Sequence, residues 1–352
     1  MIVDYGWSDS LRREFAPYAA QGYVPGRVTV QQRGYFTIAT EHGELRAQLS
    51  GRLSHEAGDG GHPVVGDWVA AAPRPAEGRA TIHAVLPRRT AFARKMAGGD
   101  APQLVAANVD VALLVTSMNA DLNPRRLERY LATAWASGAK PLIVLTKADL
   151  CDDPAAAIGV AEAVAFGVPV LPVSAATGQG MDALAAHLKP GETCVLVGSS
   201  GVGKSTLVNL LAGAALMATG AIRDSDARGR HTTTHRELSR LPGGALVLDT
   251  PGMRELGLID ADAGMAQTFE DVERLVRDCR FRDCGHSTEP GCAVRAALET
   301  ETLDAARWKN FKKLQRELAR EARKDDKLAR AAVHRQRVTM ARAQRARLKA
   351  SK

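Results

Sequence analysis

The sequence predicts an α/β protein in three parts: a small all-β barrel, a doubly wound parallel-sheet domain, and a helical segment that carries a cluster of metal ligands. Three observations carry this. Five strand-length runs fall within residues 23–90. A glycine-rich turn, GSSGVGKS, joins an apolar strand to a helix in the middle of a strand–helix alternation. Three of the five cysteines crowd together with a histidine after the last predicted strand.

Residues 1–22 read as a short helical lead-in. Residues 23–90 contain GRVTVQQ (26–32), YFTIAT (35–40), ELRAQLS (44–50), DWVAAA (67–72) and ATIHAVL (80–86), separated by turn residues and a loose loop at 54–63. Five short strands in so little chain suggest a closed barrel, an OB-fold first and an SH3-like barrel second. Such a barrel suits RNA contact or serves as a spacer. Residues 91–104 read as a linker. Arg88, Arg89, Arg94 and Lys95 in and before it either touch RNA or are solvated.

From 105 to 260 the pattern is α/β. VDVALLVTS (109–117) is apolar without alternation, as in a strand buried on both faces. Helices at 124–137, 154–166 and 180–188 alternate with strands at 141–146 and 168–173. The glycine-rich strand and helix (193–213), a loop-rich stretch (214–234) and strands at 236–241 and 245–249 follow. Residues 261–335 read as a helical domain: a helix at 265–277, the Cys/His cluster, and a helix from about Thr302 with Leu303, Trp308, Phe311, Leu314 and Leu318 on one face. Residues 336–352 are a basic tail, expected to order only on binding.

Gly198, Gly203, Lys204 and Ser205 fit G-x-x-x-x-G-K-[ST] at every fixed position. Backbone N–H groups of Ser199, Ser200, Gly201, Val202 and Thr206 would cradle phosphate oxygens at a helix N-terminus. Lys204 would reach the β/γ-phosphates, and the Ser205 hydroxyl would ligate Mg²⁺. Thr146-Lys147-Ala148-Asp149, at the end of an apolar strand, reads as a variant of N-K-x-D. The Asp149 carboxylate can accept from guanine N1–H and the exocyclic amine, which adenine does not offer. Thr in place of Asn leaves one supporting hydrogen bond open. Ser174-Ala175, at the next strand end, resembles the S-A-x loop that meets guanine O6. Together these point to GTP and GDP and away from an ATP-dependent kinase or transporter subunit.

Asp249-Thr250-Pro251-Gly252 matches D-x-x-G, with Asp249 near Mg²⁺ and Gly252 N–H on the γ-phosphate. Between the two motifs lies GRHTTT, where a switch threonine belongs. Thr233 is the first choice as Mg²⁺ ligand and Thr232 the second. Met253 stands where Ras-like enzymes carry a water-orienting Gln, so intrinsic hydrolysis is expected to be slow. His231 is the candidate to position the water.

The motif order is TKAD, SA, GSSGVGKS, HTTT, DTPG. That is the cyclic order of an ordinary GTPase, cut between D-x-x-G and N-K-x-D. The expected fold is therefore a circularly permuted P-loop GTPase domain, with an N-terminal OB-fold barrel and a C-terminal helical zinc-binding domain. Both switches then lead straight into the C-terminal segment. There, Cys279-x4-Cys284-x-His286-x5-Cys292 supplies three thiolates and an imidazole, a Cys₃His set suited to one tetrahedral structural zinc.

The formal charge is +8, and it is uneven: from Arg307 to Lys352 there are 17 Lys/Arg against 4 Asp/Glu. Such a block points to a polyanionic partner or a solvated helix. No apolar run reaches the ~20 residues that span a bilayer, and no signal peptide is evident, so a cytoplasmic protein without membrane contact is expected.

GSSGVGKSTL, GRHTTTH, DTPG, the permuted order, the N-terminal barrel and C-x4-C-x-H-x5-C together resemble the small-ribosomal-subunit-dependent GTPases of the RsgA/YjeQ family over nearly the whole chain. TKAD for NKxD, and Met253 for the family's usual aromatic, are departures. The resemblance implies a monomeric GTPase stimulated by the 30S subunit, acting late in its maturation and coupling hydrolysis to its own release. It also implies contacts of the terminal domains with 16S rRNA. The alternative is a nucleotide-gated RNA-binding scaffold whose hydrolysis is incidental.

Overall fold

The computed structural model describes residues 2–32, 34–56, 61–95, 102–119, 121–217, 236–249 and 261–323. Strands β1 (Val24–Gln32), β2 (Tyr35–Thr40), β3 (Gly43–Leu49), β4 (Trp68–Arg74) and β5 (Arg79–Val85) pair in the order β1-β2-β3-β5-β4, and β4 returns to β1 to close a barrel. The β3–β5 contact is parallel and the others antiparallel. This is the Greek-key closure of an OB-fold. Alternation puts Val28, Ile38, Leu45, Ala47, Val69 and Ile82 inside. Helix α2 (Gly51–Glu56) occupies the start of the stretch read as a loose loop.

The lead-in does more than precede the barrel. Helix α1 (Asp9–Ala19) opens on Ser8, whose hydroxyl accepts the Leu11 N–H. Its Leu11 and Phe15 are buried against Trp68 and Leu86, and Trp7 packs on Trp68 with ring centroids 4.9 Å apart. Trp68 and Ala70 alternate along β4 with the inward Val69 and Ala71, so the segment covers the outer side of the barrel with aromatic surface.

The stretch read as a linker is a β-hairpin, β6 (Ala91–Lys95) with β7 (Pro102–Ala107), and Phe92, Val105 and Ala106 enter the core. The neighbouring arginines have protein partners, though Arg89 stays exposed. Arg88 makes a bidentate pair with Asp67, which is fully buried (2.8 Å to each oxygen). Arg89 lies 3.5 Å from Asp110, and Arg94 donates to Gln103. Of these contacts, Arg89 with Asp110 joins the barrel to the next domain.

That domain is built on β8 (Val111–Ser117), β9 (Lys140–Thr146), β10 (Val170–Pro172), β11 (Thr193–Val197), β12 (Arg236–Arg240) and β13 (Leu246–Asp249). The order is β10-β9-β8-β11-β13-β12, parallel except for β12. Every residue of β8 is buried: Ala112 and Leu114 face one apolar cluster, Leu113 and Val115 the other. This explains its unbroken apolar run. Helices α3 (Pro124–Ser137), α4 (Pro154–Glu162), α5 (Met181–Ala186) and α6 (Lys204–Ala212) cover the faces. The chain reverses its direction across the sheet between β8 and β11, and the crevice at the carboxyl ends of such strands is where ligands bind. β12 also pairs with β1, so barrel and domain share one eleven-stranded sheet. Arg27 of β1, almost wholly buried, crosses this junction to donate to Asn108 O and Thr193 Oγ1 (3.1 and 3.0 Å). Burial lowers its pKa to about 10.

The expected helix at 265–277 is two helices, α7 (Asp262–Thr268) and α8 (Glu270–Arg277), broken at Phe269, which is fully buried against Phe311. Helix α9 (Ala293–Glu299) and helix α10 (305–323) complete the part. α7 lies so close on α3 that a Cβ on Gly264 would sit 2.1 Å from Ala132 O. Beside that contact, the buried Glu128 of α3 accepts from Arg307 (2.8 Å) and Asn310 of α10 and from Arg125. Arg307 also grips Asp271 and Thr268 O and lies between the rings of Phe166 and Phe269. Among the described residues, no helix is long and apolar enough to cross a membrane.

Candidate functional site

Two sites emerge. The first lies at the sheet crevice, where β11 ends in the glycine-rich turn and α6 begins. Gly198 is required by space: a Cβ there would meet Val115 O of β8 at 2.2 Å. Ser199, Ser200, Gly201 and Val202 form the turn, and Gly203 enters α6 with φ 94°, a left-handed conformation that favours glycine. Lys204 folds back over the turn, its ammonium donating to Gly198 O and Ser199 O (2.7 and 2.5 Å). Ser205 and Thr206 occupy the first turn of α6.

The TKAD tetrapeptide closes onto this turn. The Thr146 hydroxyl lies 2.6 Å from Val202 O and 3.3 Å from Thr116 O, and the Lys147 ammonium donates to Gly201 O at 3.0 Å. Lys147 adopts φ 59°, which swings Asp149 into a short 3₁₀ turn (Ala148–Leu150). The Ser174 hydroxyl donates to the Asp149 carboxylate at 2.5 Å, and Ser174 is fully buried with Ala175 beside it. Three strand ends separated in sequence therefore meet at one end of the sheet. The hydrogen bond left open by Thr for Asn is made here, to the backbone of the phosphate loop. Asp249 ends β13, the strand beside β11. Its side chain lies outside the described residues, as do His231, Thr232, Thr233, Gly252, Met253 and the tail at 336–352.

The second site is the cysteine cluster. One ligand atom from each of Cys279, Cys284, His286 and Cys292 lies within 4.8 Å of the others. His286 presents Nδ1, 3.5 Å from Cys279 Sγ and 3.6 Å from Cys292 Sγ. His286 has φ 55°, and its knuckle is held by Glu289, whose carboxylate accepts the N–H groups of Gly285, Ser287 and Thr288. Those N–H groups, Ser287's foremost, depress the Glu289 pKa to about 2. Cys292 also caps α9, its sulfur accepting the Arg295 N–H. Burial, the largest single influence, opposes ionisation of Cys279, but the N–H groups of Val294 and Ala293 together with the Cys292 and Cys284 thiols leave its pKa lowered. Three soft sulfurs and one imidazole on a tetrahedral scale fit a divalent metal such as zinc. Cys194 is different: buried in β11, its thiol is pushed up to about 12, and it serves packing. Cys151 directs its thiol at Met118 O.

Sequence reasoning missed Glu289, Glu128 and Arg307. Glu289 lies inside the Cys/His spacing, and its role depends on a turn that the spacing does not specify. The other two meet only in three dimensions.

A family model described as RsgA GTPase matches residues 85–259. A model described as ABC transporter matches 181–349. The latter begins beyond Thr146–Asp149 and Ser174-Ala175, so it takes in the phosphate loop common to both kinds of protein and none of the guanine elements. "Small ribosomal subunit biogenesis GTPase RsgA" of Opitutus terrae is 49% identical over 342 residues, 94% of this chain and 93% of that protein. The protein of the same name from Syntrophotalea carbinolica is 46% identical over 97% of this chain and 96% of its own length. Among solved structures, YjeQ from Thermotoga maritima aligns with a TM-score of 0.64 at 26% identity, covering 84% of this chain and 99% of that one. YloQ, described as a circularly permuted GTPase, aligns at 0.61 and 25% identity, covering 84% and 95%. With its barrel, its permuted phosphate-loop domain and its Cys₃His cluster, the chain belongs to the RsgA GTPase family.

Proposed function

We propose that this chain is a GTP hydrolase of small-ribosomal-subunit biogenesis, stimulated by the 30S subunit and coupling hydrolysis to late maturation and its own release. The observation that carries the nucleotide reading is the joining of the guanine tetrapeptide to the phosphate loop, Thr146 to Val202 O and Lys147 to Gly201 O. The subunit reading rests on the relatives' printed names and on the basic block after Arg307.

In this reading Asp149 takes guanine N1–H and the exocyclic amine while Ser174 fixes the carboxylate. The Ser174-Ala175 loop meets O6. Lys204 exchanges its two loop carbonyls for β/γ-phosphate oxygens, and the loop N–H groups hold the α/β-phosphates. Ser205, in the first turn of α6, and Asp249, at the end of the strand beside β11, would with Thr233 hold Mg²⁺, which neutralises charge on the phosphate oxygens. Gly252 N–H contacts the γ-phosphate and His231 orients the attacking water. Met253 offers no hydrogen bond to that water, so turnover is slow until the subunit completes the site. Cys279, Cys284, His286 and Cys292 would hold one zinc, a closed structural site that orders the loop between α8 and α9. The protein acts as a cytoplasmic monomer, with 16S rRNA met by the terminal domains. The test is GTP turnover with and without purified 30S subunits. Many-fold stimulation supports the reading, and unchanged turnover leaves a nucleotide-gated scaffold in its place.

A further inference from the structure

The guanine tetrapeptide differs from N-K-x-D at one position, and the structure shows what that position can offer a base. A threonine hydroxyl carries one proton and an asparagine amide carries two. The Thr146 hydroxyl faces two carbonyl oxygens, Val202 O at 2.6 Å and Thr116 O at 3.3 Å, and its side chain is buried. Its single proton is therefore committed to the backbone. What remains on the oxygen is acceptor capacity. Guanine's N7 is itself an acceptor, so the two cannot pair.

The donors of the tetrapeptide and of the serine loop are drawn away from the base: one N–H of the Lys147 ammonium goes to Gly201 O, which holds the group at the phosphate loop, and the single Ser174 hydroxyl proton goes to Asp149. Ala148 and Ala175 have no side-chain donor.

We infer that this chain recognises guanine through N1–H, the exocyclic amine and O6 alone, and is blind to N7. Thr146 is a positioning residue that ties the base-reading loop to the phosphate loop and reads nothing on the base. The inference rests on the assignment of this crevice to guanine nucleotides. Its physical consequence is specific: replacing N7 by C–H removes an acceptor that no side chain of the tetrapeptide or of the Ser174-Ala175 loop addresses. Loss of a hydrogen bond that was being made would weaken binding by roughly 3- to 10-fold.

The experiment measures affinities of the full chain for GDP, 7-deaza-GDP and ADP by calorimetry or competition, in the wild type and in Thr146→Asn, Thr146→Val and Thr146→Ser. In the wild type, GDP and 7-deaza-GDP bind within threefold of one another. A loss above threefold for the deaza analogue overturns the inference. Thr146→Asn, with a second donor, acquires a preference for GDP over the deaza analogue. If it acquires none, the missing second donor at position 146 is not what leaves N7 unread, and that explanation is wrong. Thr146→Val keeps the shape and loses the tether, so it weakens both guanine nucleotides equally, while Thr146→Ser restores binding of both. Unequal weakening, or a Ser variant no better than Val, also counts against the tether. ADP binding as tightly as GDP would instead overturn the guanine assignment itself, whatever the deaza result.

Discussion

Arg307→Met tests how the C-terminal helices are attached to the nucleotide domain. Arg307 is 4% exposed and Glu128 is fully buried. Removing the guanidinium leaves the Glu128 carboxylate with Arg125 and Asn310, and leaves Asp271 without its bidentate partner. Breaking a buried pair from one side costs about 3–5 kcal/mol, because the remaining charge stays desolvated. At 1.36 kcal/mol per decade, the open fraction of the interface rises by roughly 10²- to 10³-fold or somewhat more. Hydrogen exchange read peptide by peptide is the assay: protection should fall in α3 and α7–α10 and stay unchanged in the barrel. The pH dependence has a definite sign. Burial, the largest influence, raises the Glu128 pKa above the unfolded value, with Asn310, Arg307 and Arg125 opposing it. Between the unfolded and the folded pKa the folded state binds more protons, so stability falls as pH rises through that window. Loss of Arg307 raises the folded pKa further, so the variant's defect is larger at pH 8 than at pH 5. Glu128→Gln, which needs no counter-charge, should recover part of the loss in the double variant. A destabilisation below about 1 kcal/mol, or a loss shared equally by the barrel, would refute the reasoning.

The zinc assignment predicts one zinc per chain after removal of loosely bound ions. Chelation should abolish protection around Cys279–Cys292 while leaving β1–β5 protected, read by metal analysis and hydrogen exchange. Cys292→Ser should be the most damaging ligand change, since this residue is buried and caps α9. Glu289→Gln should weaken metal affinity about 10–100-fold by releasing the knuckle that carries His286. His231→Ala should lower subunit-stimulated turnover by about 10²-fold with GTP affinity unchanged, and full turnover in that variant would remove His231 from the mechanism.

What the sequence could show depended on how local the cause was. Gly198 is demanded by the approach of β8, and the loop motif states that need at fixed spacing. The run at 111–117 is apolar at every position because both faces of β8 are covered, and this too is visible in one dimension. The permuted order of motifs was equally plain. The hairpin at 91–107 was hidden because its composition, basic and glycine-containing, resembles a linker, while its apolar contacts come from elsewhere in the chain. The break at Phe269 was hidden because i, i+3/i+4 spacing continues across it, and burial against Phe311 decides the local geometry. Arg88 suggested RNA as a surface charge, yet the buried Asp67 draws it inward, while Arg89 stays exposed beside Asp110. The aromatic residues of the lead-in gave no sign that they pack against the outside of the barrel. Thr146 looked like a weakened asparagine, and only its contact with Val202 O reveals a tether.

The most direct measurement is steady-state GTP turnover by the full chain alone, with purified 30S subunits, and with 50S subunits as a control. Turnover should be slow alone, stimulated many-fold by 30S, and not stimulated by 50S. Turnover indifferent to 30S subunits, or stimulated equally by both, would contradict the proposed function.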